Sequence, residues 1–391
     1  MKKQRLFFST VVSVLALLST DAVAQPNNVN ALKQRLALLE KRPDYRKDTA
    51  YINTLNRLAF VYASNYPDSA ISLLADYVDK EGQAAYKRGE AEALKILGTA
   101  YQKKGDYAAA EKHYGKAYAL AQKNGLDDLM PGILNNIGLN YLSQGNHSAA
   151  LKNFFEALKQ AEVRGDRFVA GRVYNNIANV HFYQGKMAEA EAAYNQTLRI
   201  AKETADTAGI TLAYNNLGEV AIEIKDFPKA LQNLTAAYNF ALKANNKELQ
   251  VASTKNLGAL YLQTDSADKA IRYFDNAYQL ALQLSNRPSA AKALIGLAKA
   301  KQKTGALKEA LKDALAAVQL AQDMGQASLQ RDANEVAASI YESIGNGTMA
   351  LRHYKIFKQY ADSLRSLESE RMATRLQAEF DFSKKELEFQ R

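Results

Sequence analysis

Apolar positions in this chain recur three and four residues apart, break at a turn and resume, and the whole pattern returns every 40 residues. In residues 91–104, Ala93, Leu94, Leu97 and Tyr101 share one side of a helix; Gly105-Asp106 interrupts, and Ala109, Ala110, His113, Tyr114 and Ala117 begin a second. Glycine accepts the left-handed backbone that closes a helix, and Asp106 is placed to cap the next one. Leu97, Ile137, Ile177, Leu217, Leu257, Leu297 and Ala337 stand one period apart, each followed by Gly or Ala. Later in each unit a small residue precedes a larger one by four, as in Ala110 with Tyr114, Ala150 with Phe154, Ala190 with Tyr194 and Ala270 with Phe274. A fixed period of this length predicts a stacked array, in which each helix pair buries its apolar face on its neighbours.

Gly145, Gly185, Gly305 and Gly345 repeat the turn, whereas Lys225 and Asp265 replace glycine, so those two turns are expected to end differently. Pro67, Pro228 and Pro288 fall in first turns of helices, where a missing amide donor is tolerated, and Pro131 is a candidate kink. An earlier unit fits with one residue fewer between its helices: Leu58, Ala59 and Tyr62, then Ala70. A short helix over Val29–Lys41, with Leu32, Leu36 and Leu39 on one side, is expected to cap the N-terminal end.

Residues 1–24 have the composition of a cleaved secretory signal: Lys2, Lys3 and Arg5, then the 13-residue apolar run Leu6–Leu18, then Ala22-Val23-Ala24 before Gln25. The run is short of the roughly 20 residues that a spanning helix needs. Its removal lowers the net charge from +10 to +8. Lysines interleave with carboxylates along most helices, which predicts a solvated surface with a bias toward acidic partners and no nucleic acid. The absence of cysteine excludes thiol chemistry, disulfides and Cys-based metal sites.

Leu97-Gly98-x-x-Tyr101…Ala110…Tyr114 and Ile137-Gly138-x-x-Tyr141…Ala150…Phe154 resemble the tetratricopeptide repeat over residues 50–360. The usual period of this family is shorter, so the chain is similar to its long-repeat branch, the Leu-Gly-Asn proteins and kinesin light chains. The family's customary tryptophan is missing. The resemblance implies an all-α, right-handed helical-hairpin solenoid of about eight units with a C-terminal helical tail. The expected divisions are a signal peptide (1–24), a capping segment (25–49), the solenoid (50–360) and a charged helix (361–391).

No phosphate loop, His-Glu-x-x-His or Gly-x-Ser-x-Gly motif stands outside the repeat register, which predicts neither enzyme activity nor a cofactor. His181 takes a place that tyrosine holds elsewhere, His113 and His353 are equivalent on second helices, and His147 opens one; none of these spacings suits a metal. Asparagine is the sharper signal. Asn135-Asn136, Asn175-Asn176, Asn215-Asn216 and Lys255-Asn256 recur at the same two places, although asparagine is a mediocre helix former. At about 100° per residue, Asn136, Asn176, Asn216 and Asn256 should line a concave wall, with Asn135, Asn175 and Asn215 on the flank toward the adjacent unit. In one reading the amides bond neighbouring first helices and set the stacking angle. In the other, which the resemblance implies, they offer donors and acceptors to an extended peptide. Arg172 and Asn179 share the wall, and Lys292, Lys299 and Lys303 share one helix face suited to an acidic segment or to solvent alone.

Beyond Tyr360, Leu364, Leu367, Met372, Leu376, Phe380, Leu387 and Phe389 stand among dense charge without a clean heptad. This tail weakly resembles the coil that links repeat arrays to a membrane helix in bacterial sensor proteins. A cap on the last repeat, a helix that self-associates or docks on a membrane protein, and a truncated sensor all remain open. The expected function is a periplasmic, non-enzymatic scaffold for a peptide or protein; the alternative is a signalling component that regulates a membrane sensor kinase or cyclase through its C-terminal helix.

Overall fold

The computed structural model describes residues 29–80 and 86–366, and every regular element among them is helical. Contacts divide the chain into two units, Met1–Tyr141 and Leu142–Arg391. The expected signal segment and residues 367–391 of the tail lie outside the described residues.

The first unit contains α1 (Val29–Leu39), α2 (Thr49–Asn65), α3 (Pro67–Lys80), α4 (Lys87–Lys104), α5 (Tyr107–Lys123) and most of α6 (Met130–Ser143). Leu32 and Leu36 of α1 join Ile52, Leu55 and Leu58 of α2 and Leu74 of α3 in one core, so the apolar side of the first helix packs on the α2–α3 hairpin. Pro131 does not kink α6. Without an N–H it cannot bond the Asp127 carbonyl, so the helix starts at Met130 and the proline sits in its first turn.

The second unit continues with α7 (His147–Val163), α8 (Arg167–Tyr183), α9 (Met187–Glu203), α10 (Thr207–Glu223), α11 (Phe227–Lys243) and α12 (Lys247–Gln263). It ends with α13 (Ala267–Gln283), α14 (Arg287–Lys303), α15 (Leu307–Met324), α16 (Ala327–Ile344) and α17, residues 347–366. From α8 onward the helices pair as hairpins that stack in order. First helices α8, α10, α12, α14 and α16 also touch one another in sequence, whereas second helices make no comparable contact. The row of first helices therefore forms the inner wall of this unit.

Packing explains the periodic small residues. A methyl group added at Gly98 would strike the Tyr114 ring, one at Gly218 would strike Leu234, and one at Gly296 would strike Phe274. At these places the large side chain of a second helix lies directly on the backbone of a first helix, and Tyr114 and Phe154 are fully buried. A further contact locks the hairpins in one register. Tyr101 stacks on His113 at 5.2 Å, Tyr261 on Tyr273 at 5.4 Å and Tyr341 on His353 at 5.4 Å, while Lys301 and Asp313 make an ion pair of 2.5 Å at the equivalent place.

The turns recur every 20 residues, between hairpins as well as within them. Gly105, Gly125, Gly145, Gly165 and Gly185 are left-handed, and so are Gly305, Gly325 and Gly345. Between them Ala205, Lys225, Asn245, Asp265 and Ser285 hold the same conformation, with φ of 48–60°. The expectation that Lys225 and Asp265 end their helices differently is thus overturned. The Asp226 amide donates to the Ala221 carbonyl at 2.8 Å and the Ser266 amide to the Tyr261 carbonyl at 2.9 Å. These closing bonds impose the geometry whichever side chain is present. Caps follow one residue later: Asp106, Asn146, Asp166, Asp206, Asp226, Asn246 and Asn286 each accept from a backbone amide in the next helix.

Candidate functional site

Helical spacing puts four positions of each first helix on the open side of the inner wall. On α8 these are Arg172, Asn176, Asn179 and Tyr183; on α10, Leu212, Asn216, Glu219 and Glu223. On α12 they are Ala252, Asn256, Ala259 and Gln263, and on α14, Lys292, Lys299 and Lys303, the fourth place being Gly296, which is buried against the Phe274 ring. On α8 and α10 the outer two of each set are the more exposed, and Tyr183 is 66% accessible.

The asparagines join neighbouring first helices. Asn216 of α10 donates from Nδ2 to Asn175 Oδ1 of α8 at 2.8 Å, and Asn256 of α12 donates to Glu219 Oε1 of α10 at 2.8 Å. Asn215 reaches the other way, to Ser253 Oγ of α12 at 3.1 Å, and Asn175 also lies 3.5 Å from Asn176 Oδ1. In the first unit Asn136 of α6 donates to Thr99 Oγ1 of α4 at 3.4 Å, and Asn135 is buried. Asn176 and Asn256 are buried too, while Asn136 and Asn216 stay half-buried. Much of the amide capacity is thus directed sideways, between helices, and Asn215 Oδ1 is buried without a hydrogen-bond partner.

Charge is sorted by helix along the wall of the second unit. Lys292 and Lys299 are exposed on α14 and have no ion-pair partner among the described residues. Lys303 shares their face but is tied to Asp265 Oδ1 at 2.7 Å and to the Leu262 carbonyl at 3.1 Å. That hydrogen bond and the lysine charge hold the Asp265 carboxyl below its ordinary range. Glu219 and Glu223, which the asparagine pattern did not point to, supply the opposite charge on α10, and Glu223 is exposed. Lys255 lies between these sets. Burial depresses its amine, the nearby Lys292 acts the same way, and Glu219 acts against both.

Arg172 is exposed on α8, whereas Asn179 accepts the Tyr194 hydroxyl at 2.6 Å and so serves its own hairpin. Glu219, Glu223, Tyr183 and Leu212 could have been found by reading every wall position in the phase of the repeat rather than its asparagines alone. The histidines are packing residues: His113 and His353 stack on tyrosines, and His181 is half-buried with its ring depressed in pKa by burial and then by Lys186. No group of three metal-ligating side chains occurs among the described residues, and no described helix is long and apolar enough to cross a membrane.

Residues 89–163, 169–243 and 250–323 match the family model of the tetratricopeptide repeat. No curated protein matches the sequence. Among solved structures, a Rap protein complexed with competence and sporulation factor is similar at TM-score 0.62 and 13% identity, over 87% of this chain and 98% of that one. A signal-transduction ATPase with a tetratricopeptide repeat sensor from Pyrococcus horikoshii gives 0.60 and 15%, over 90% and 56%. A Rap conjugation regulator in complex with the Phr* peptide gives 0.58 and 14%, over 88% and 96%.

Proposed function

The chain belongs to the tetratricopeptide repeat family, and from that premise we propose that it is a non-enzymatic scaffold that takes an extended peptide or protein segment on the inner wall of the second unit. The observation that carries this reading is that the wall displays side chains that stacking does not use: exposed Arg172 and Tyr183, Glu223, and Lys292 and Lys299, which have no ion-pair partner among the described residues. Two proteins of similar fold were solved with a peptide or factor bound. The Lys- and Arg-led apolar segment before Gln25 supports the reading of an exported, periplasmic scaffold.

The test is retention of partners from an envelope extract on the immobilised mature chain and on a variant carrying Arg172→Ala, Tyr183→Ala, Glu223→Ala and Lys299→Ala. All four are surface positions, so the melting temperature should stay within a few degrees. Proteins retained by the native chain and lost by the variant are the expected result. Identical retention by both would place binding elsewhere and sink the reading. Intact-mass spectrometry of the secreted form should give the mass of a chain that begins at Gln25, with or without cyclisation of that glutamine.

A further inference from the structure

Resting on the reading of the inner wall as a peptide face, we propose that its occupant is an extended segment with a basic side chain over α10 and an acidic side chain over α14, about five or six residues apart. Acidic charge is gathered on α10 and exposed basic charge on α14, two first helices further on, while Arg172 stands alone on α8 and the half-buried Lys255 of α12 lies between Glu219 and Lys292. Glu219 and Glu223 stand one turn apart on α10, and the Asn256 amide fixes the Glu219 carboxylate by its 2.8 Å bond. Lys292 and Lys299 stand two turns apart on α14, both exposed and without an ion-pair partner among the described residues. The acidic residue at the corresponding wall position of α16, Asp332, is already engaged by Arg331 at 2.7 Å. Between the charged helices α12 presents Ala252 and Ala259, leaving room for a chain to cross.

Packed helices are spaced about 8–10 Å apart, so the crossing from α10 to α14 is roughly 16–20 Å, and an extended chain covers it in about five or six residues. Stacking does not explain the sorting, because none of Glu223, Lys292 and Lys299 makes an ion pair with another repeat among the described residues. Separated charge of this kind fixes register and orientation more than affinity.

The experiment is selection of short peptides from a phage-displayed library on the full mature chain, followed by charge-reversal rescue. Enriched peptides should carry a Lys or Arg and an Asp or Glu at the stated spacing. Reversing the peptide's basic residue should weaken binding to the native chain about tenfold, and Glu223→Lys should restore it; reversing the acidic residue should be rescued by Lys299→Glu. Circular dichroism checks that both variants melt like the native chain. Enriched peptides without the spaced pair, or peptides bound equally by the native chain and both variants, would overturn the charge order while leaving the wall as a peptide face. Failure of the native chain and both variants to enrich any peptide would overturn the peptide face itself, and the charge order with it.

Discussion

Two neighbouring junctions in the second unit, α10 on α12 and α12 on α14, join 17-residue helices in the same phase with different chemistry. At the first, Asn215 bonds Ser253 and Asn256 bonds Glu219. At the second, the positions of the asparagine pair are taken by Ile295 and Gly296, and the Phe274 ring lies against both Gly258 and Gly296. The hairpins stack either way. Apolar contact on a glycine backbone, with Lys303 bonding Leu262 and Asp265 at the exposed edge, therefore replaces the amides at this junction, and the amides add polar specificity and wall chemistry to a geometry that forms without them.

The sharpest way to break this comparison is to empty the apolar junction. Phe274 is 4% exposed and sits between two helices, so Phe274→Ala should cost about 3–5 kcal/mol in denaturant unfolding. A cost no larger than that of removing one amide would show that hydrogen bonds, and not packing, hold the stack. The amide side is tested by Asn256→Ala, which strips the donor from the Glu219 carboxylate at a site 6% exposed. Hydrogen bonds to charged groups are worth about 1.5–3 kcal/mol. A double-mutant cycle with Glu219→Ala should recover most of that as coupling, and additive effects would mean that the bond contributes nothing to the junction.

The core was legible in the sequence and the junction chemistry was not, for a physical reason. Position within a helix follows from the period, so Leu97, Leu217, Leu257 and Leu297 fall in the core as expected, each no more than 4% exposed. The amide partners depend on how one helix is rotated against the next. Asn216 reaches back to Asn175, Asn256 back to Glu219 and Asn215 forward to Ser253, and no single offset along the chain covers the three. The wall lysines were seen as one set because they share a face, yet Lys303 is drawn off by Asp265, a turn residue of the preceding hairpin. Nor did residue type reveal the turns, because backbone closure decides their conformation.

Those turns sharpen the comparison from the backbone side. Of the helices that carry the interlocked amides, α10 and α12 are followed by non-glycine turns, Lys225 and Asp265, within a run from Ala205 to Ser285 whose conformation costs an L-residue about 1–2 kcal/mol. Ala205 is exposed and its side chain has no role in the cap, so Ala205→Gly should stabilise the unit by about 1 kcal/mol. The converse change, Gly185→Ala, should destabilise by a similar amount. A neutral or unfavourable Ala205→Gly would mean that loss of freedom in the unfolded glycine chain outweighs relief of strain.

The smallest effect belongs to a third kind of junction, polar and titratable, between α16 and α17. Asn334 is fully buried; its Nδ2 donates to the Gln330 carbonyl, which leaves Oδ1 to accept from His353 Nδ1 at 2.8 Å. The His353 ring also stacks on Tyr341, and burial, then the charge of Arg352, pushes its pKa below the ordinary histidine value of 6.5. Between the folded and unfolded values the unfolded chain binds more protons, so stability rises with pH across that window. The contribution is complete above the unfolded value and is lost as pH falls through the folded one. Hydrogen exchange of α17 amides, corrected for the intrinsic pH dependence, should therefore show weaker protection on acidification through this range, while protection in α10 and α12 holds steady. His353→Phe keeps a ring on Tyr341 but strands the Asn334 oxygen, so it should lower protection at every pH and abolish the acid response. An unchanged acid response in that variant would assign the effect to another group, with His181 the next candidate because its pKa shifts in the same direction.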